Sequence, residues 1–128
     1  MIEVIPKKNI SASDIKILRG ISSLGISEIK AASSEGKPIR RFEIFGSDWQ
    51  SERIELVAIY NLYASNSDTP FFIFDTEAYN PKVISPGELS SKFQFWREIE
   101  LETQMNSDLE NGYIKNPSEF EPHDEDWA

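Results

Sequence analysis

A chain of 128 residues with 39% hydrophobic and 12% aromatic content is long enough to bury a core and too apolar to stay disordered. It has no cysteine, which excludes disulfides, thiolate metal sites and thiol nucleophiles. The net charge of −9 is unevenly placed: residues 1–87 carry 11 acidic and 10 basic side chains (net −1), residues 88–128 carry 11 acidic and three basic ones (net −8), so direct nucleic-acid binding is disfavoured.

In chain order, Ile2 to Ile5 predicts a short strand stopped by Pro6. Ser11, with Asp14 three residues on, predicts a capping box opening a helix through Ile15, Leu18 and Ile21. Gly25 is expected at a corner with positive φ, followed by a short helix that Gly36 ends. Ile39 to Phe45 alternates as a strand with Phe42 and Ile44 inward. Ser47 and Gln50 read as a second capping box, opening a helix through Ile54, Val57, Ala58 and Leu62. Its other side is apolar too, with Leu56, Ile59, Tyr60 and Tyr63. Phe71 to Phe74 is an aromatic strand. One core is expected from Ile15, Leu18, Phe42, Ile44, Val57 and Phe72.

The remaining third is more ambiguous. Ser85-Pro86-Gly87-Glu88 is a helix-start signal, and Leu89, Phe93 and Trp96 follow at helical spacing. Phe93, Phe95, Ile99 and Leu101 also alternate as a strand would; the start signal and the wealth of Glu, Gln and Leu favour helix. Gly112 is expected to end it, and Phe93 and Trp96 to lie in the core. Residues from Pro117 onward form an acidic tail. The expected organisation is an α+β core over 1–78, a covering extension over 79–116 and a tail over 117–128, together one domain.

Ile15 to Lys30, IKILRGISSLGISEIK, resembles the C-terminal domain of the bacterial ribosomal stalk protein of the large subunit. That family carries an Ile-Lys-x-x-Arg helix, a Leu-Gly corner and a following helix with Glu-x-Lys. Ile15, Lys16, Arg19, Gly20, Leu24, Gly25, Glu28 and Lys30 match it, while Ser11 and Ser27 stand where the family has lysine. The resemblance covers about residues 10–75. It implies a strand-helix-helix-strand-helix-strand fold and a docking patch for translational GTPases at Ile15, Lys16, Arg19 and Lys30.

Catalytic and metal chemistry find little support. His123 stands beside Glu121, Asp124, Glu125 and Asp126, which reads as a solvated acidic tail and not as a metal site. Asp75 and Glu77 lack a group to push their pKa values apart. Glu35-Gly36-Lys37 lacks the rest of a phosphate loop. The expectation is a non-catalytic, cofactor-free, metal-free bacterial protein of the cytoplasm, with no membrane partner, since no apolar run nears the roughly 20 residues of a membrane helix.

Size, acidity and tail composition resemble those of immunity proteins, which neutralise basic toxins such as nucleases. The expected contacts with a cationic protein partner are Glu98, Glu100, Glu102, Glu119, Glu121, Asp124, Glu125 and Asp126, with Trp127 as apolar anchor. The alternatives are a translation-GTPase or ribosome binder using the stalk-like patch, and a protease adaptor, a class of related fold.

Overall fold

The computed structural model describes residues 1–66, 68–76 and 81–126. Among these, four helices and a four-stranded antiparallel sheet make an α+β fold. The chain divides into two compact units, Met1–Pro86 and Gly87–Ala128.

In the first unit the elements run β1 (Ile2–Pro6), α1 (Ala12–Ile21), α2 (Ile26–Glu35), β2 (Arg40–Phe42), α3 (Trp49–Ser65), β3 (Phe71–Asp75) and β4 (Lys82–Val83). The spatial order β2-β1-β3-β4 puts β1 and β3 at the centre, with Val4 opposite Ile73 and Ile2 opposite Phe42. Pleating sends alternate residues to opposite faces, so Ile2, Val4, Phe42, Phe71 and Ile73 are buried. Phe72 falls on the other face and is 41% exposed, contrary to the expected core. Strand β4 carries no alternating run of its own. It is held by its pairing to Phe74 and Asp75, and Ile84 N–H donates to the Ile73 carbonyl at 2.9 Å.

Local chemistry explains the helix ends. Ser11 Oγ accepts from Asp14 N–H at 3.1 Å while Asp14 Oδ2 accepts from Ser11 N–H at 2.9 Å, the reciprocal pair expected at the start of α1. Its end is closed by Ser22, whose hydroxyl donates to the Leu18 carbonyl at 2.8 Å. Gly36 has φ of 68° and terminates α2 in the left-handed conformation that glycine adopts at least cost.

Gly25 corrects an expectation. Its φ is −80°, and it is the residue preceding α2, with its N–H donating to Glu28 Oε1 at 3.4 Å. The corner needs no left-handed backbone, because α1 ends on Ser22 and the chain is extended again before α2 begins.

The second strand and third helix also differ from expectation. β2 stops at Phe42; Ile44 is only half-buried, and Phe45 takes a φ of 60° with its ring 45% exposed. The turn that follows, with Gly46 N–H on the Glu43 carbonyl and Trp49 N–H on the Gly46 carbonyl, delays the helix start to Trp49. Asp48 therefore precedes α3, and no capping box forms at Ser47 and Gln50.

Within α3 the buried face is Trp49, Arg53, Leu56 and Ile59, not the Ile54 side. Ile54 is 68% exposed, Ala58 is exposed, and Val57 and Leu62 are half-buried. Both faces carry large apolar groups, so spacing alone cannot choose between them. Of the expected core, Leu18 and Phe42 are fully buried and Ile15, Ile44 and Val57 partly so.

The second unit is built on α4 (Pro86–Glu110). Proline at the first helical position needs no hydrogen-bond acceptor there, as expected. Residues 93–102 are helical throughout, and Phe93 and Trp96 are buried with ring centroids 5.9 Å apart. Gly112, at φ of 74°, ends the helix; Tyr113 N–H then reverses onto the Asp108 carbonyl at 2.9 Å. The chain returns through a 3-10 turn at Pro117–Glu119.

Candidate protein-binding surfaces

On α4, successive residues are turned by about 100°, so Phe95, Glu98 and Glu102 share one stripe while Glu100 points to the opposite side. Exposure follows that geometry. Phe95 is 59% exposed, Glu98 and Glu102 are exposed, and the Glu100 side chain is largely covered. The expected acidic row of three is therefore a pair, Glu98 and Glu102, beside an exposed aromatic ring.

Glu100 instead serves Arg97, which is 8% exposed. The guanidinium donates to Glu100 Oε1, to Asp124 Oδ1 at 2.8 Å, to the Asp124 carbonyl at 3.0 Å and to Asp126 Oδ1 at 2.9 Å. Burial works to lower the pKa of Arg97, but the hydrogen bonds to Asp124, Asp126 and Glu100 outweigh it and hold the group above the ordinary arginine value. Further along α4, Gln104 Nε2 donates to Asp124 Oδ1 at 3.1 Å and Gln104 Oε1 accepts from His123 N–H at 3.0 Å. The His123 ring meets Asp108 Oδ2 at 2.8 Å. The returning segment thus runs antiparallel along the helix stripe of Arg97, Gln104 and Asp108.

The tail carboxylates divide by role. Asp124 and Asp126 are bound to Arg97, and Glu119 accepts from the Lys115 main-chain N–H at 2.8 Å. Glu121 and Glu125 are exposed. Trp127 lies outside the described residues, as does Glu77. Among the described residues no three His, Cys, Asp or Glu side chains converge to hold a metal ion. Asp75 is a buried residue of β3.

A second surface lies in the first unit. Ala12, Ile15, Lys16, Arg19, Gly20 and Ile26 line a hollow of about 370 Å³ between α1 and the start of α2. It brings together Ile15, Lys16 and Arg19 of the expected patch; Lys30 is exposed on α2 but does not line it. Ile26 is 48% exposed at its rim. A neighbouring hollow of about 330 Å³ includes Gly20, Ser22, Arg40 and Glu55, the last two joined as an ion pair.

Sequence reasoning missed Phe95 as the exposed aromatic and Arg97 as the anchor of the tail. A helical projection of α4 carries the first signal, since it sets Phe95 away from Phe93 and Trp96. The second depends on contacts 27 and 29 positions away, which no local pattern reveals.

Compared with known proteins, the chain matches no family model, no curated protein and no solved structure. Among the described residues no helix is long and apolar enough to cross a membrane.

Proposed function

We propose that the chain is a non-catalytic protein-binding module of the bacterial cytoplasm that neutralises a basic toxin, with a nuclease as the leading class. The observation that carries this reading is the acidic face of α4, where the exposed Phe95 ring stands beside Glu98 and Glu102. Aromatic anchors flanked by charge are a common form of binding hot spot, and concentrated negative charge steers encounter with a cationic partner. A nuclease that grips phosphate must be basic, so it matches this surface in sign. Exposed Glu121 and Glu125 extend the same negative field.

The test is protection of cells that produce the toxin encoded beside the gene. The chain should protect them, and a variant with Glu98, Glu102, Glu121 and Glu125 changed to glutamine should not. Equal protection by that folded variant would remove the acidic face from the account.

The hollow on α1 and α2 favours a second reading, a stalk-like domain that docks a translational GTPase through Ile15, Lys16 and Arg19. The element order β1-α1-α2-β2-α3-β3 and the sixteen-residue resemblance support it. Binding of purified elongation factor at low salt, lost in Arg19→Glu, is the corresponding test. The protease-adaptor reading has no structural feature of its own to favour it.

A further inference from the structure

We infer that the C-terminal segment from Tyr113 to Asp126 is a releasable strap, latched to α4 by the Arg97 fork and able to open while the helix stays folded. This inference concerns the second unit alone and goes beyond the toxin-binding reading.

The argument begins with what fastens the segment. No described residue between Asn111 and Asp126 is buried, whereas α4 buries Leu89, Phe93 and Trp96. Apolar burial, the main source of cooperative stability, is therefore concentrated in the helix and nearly absent from the strap. Partly covered Ile114 and Phe120, the latter with its ring 6.1 Å from His123, are its principal apolar contributions. What remains is polar: Arg97 with Asp124 and Asp126, Gln104 with Asp124 and His123, and Asp108 with His123. Segments with few buried contacts and many exposed hydrogen bonds open locally, well below the free energy of global unfolding.

The latch has a gradient of exposure that sets how it opens. Asp126 has 75% of its side chain exposed and Asp124 24%, while Arg97 has 10%. Salt weakens the outer bond to Asp126 first, since ions screen exposed pairs more than covered ones. Loss of Asp126 leaves Asp124 as the remaining tail carboxylate on the guanidinium, and Glu100 stays with Arg97 because both belong to α4. Opening consequently uncovers the Arg97–Glu100 pair and removes two carboxylates from its surroundings. The strap sets how negative the local surface is.

Hydrogen exchange on the full chain tests this, with the His123 and Trp96 amides as reporters. The His123 amide donates to the Gln104 side chain and so closes only when the strap is latched. Raising sodium chloride from about 0.05 M to about 1 M should speed exchange at His123 by at least about tenfold and leave Trp96 unchanged. Arg97→Met should remove protection at His123 at either salt concentration. Asp124→Asn, which leaves α4 and its arginine intact, should give the same selective loss, so the result does not hang on the folding of one variant. Exchange of His123 and Trp96 at one common rate under all conditions would overturn the inference, as would unchanged protection of His123 in Asp124→Asn.

Discussion

Arg97 and Asp124 are joined twice across 27 positions of chain, Nη1 to the carboxylate at 2.8 Å and Nη2 to the main-chain carbonyl at 3.0 Å. A planar fork makes both bonds from one side chain, and the remaining Nε serves Asp126. Arg97→Lys keeps the charge but not the fork. It should cost about 1.5–3 kcal/mol of stability, the range for hydrogen bonds to charged groups, measured by urea unfolding of the full chain. An unchanged midpoint would show that charge alone holds the segment.

The same residue has a distinct pH signature. A cation whose pKa is raised on folding contributes stability that is present below its unfolded pKa and is lost as pH rises through the folded one. Arg97 is raised above a value that is already very high, so its contribution should stay constant from pH 7 to about pH 11. In Arg97→Lys the window moves down to the lysine range, about 10.4 and above. The stability gap between the two proteins should therefore widen as pH passes about 10. A constant gap up to about pH 11 would contradict the assignment.

Two glycines should respond in opposite ways. Gly36 sits at φ of 68°, where a side chain is strained whatever space surrounds it, and Gly36→Ala should cost about 1–2 kcal/mol. Gly25 lies in extended backbone, and an added Cβ would meet only Glu28 Oε1, at 3.6 Å. Gly25→Ser supplies a capping oxygen there and should stabilise by a few tenths of a kcal/mol. Thermal unfolding of the pair measures both signs at once.

What could be read from the sequence was what is local in the chain. Ser11 with Asp14, Gly36, Gly112 and the Pro86 start each lie within a few residues of the groups they satisfy, and each was legible. The α+β class followed from the order of strand-like and helix-like segments along the chain. Strand β4 was not legible, since two residues carry no period and it exists by pairing with β3. Nor was the buried face of α3, where Leu56 and Ile54 are equally apolar and only the tertiary contacts separate them. The acidic tail was legible as charge but not as structure, because its partner Arg97 looks like any surface cation in a glutamate-rich helix. Composition located the candidate surface; the helical turn decided which of its carboxylates face outward.

The choice of face on α3 can be measured directly. Leu56 is fully buried and Ile54 is 68% exposed. Leu56→Ala should cost about 2–5 kcal/mol, whereas Ile54→Ala should change stability by no more than about 0.5 kcal/mol. Equal losses at the two positions would mean that the Ile54 face is covered in solution.

On α4 the exposed aromatic and its acidic neighbours should separate kinetically. Glu98 and Glu102 act at a distance, so changing both to glutamine should slow association with a cationic partner and flatten its salt dependence. Unsteered pairs associate at about 10⁵–10⁶ M⁻¹s⁻¹, and steered ones approach about 10⁸–10⁹ M⁻¹s⁻¹ at low salt. Phe95 acts only in contact, so Phe95→Ala should leave association nearly unchanged and speed dissociation. Its ring is 59% exposed in the free protein, so truncation should leave folding stability within about 0.5 kcal/mol, and a loss of binding could not be ascribed to unfolding. Surface-based kinetics across a salt series would resolve the two effects. If Phe95→Ala and the double glutamine variant both bound like the parent chain, the partner would meet a face other than this stripe of α4.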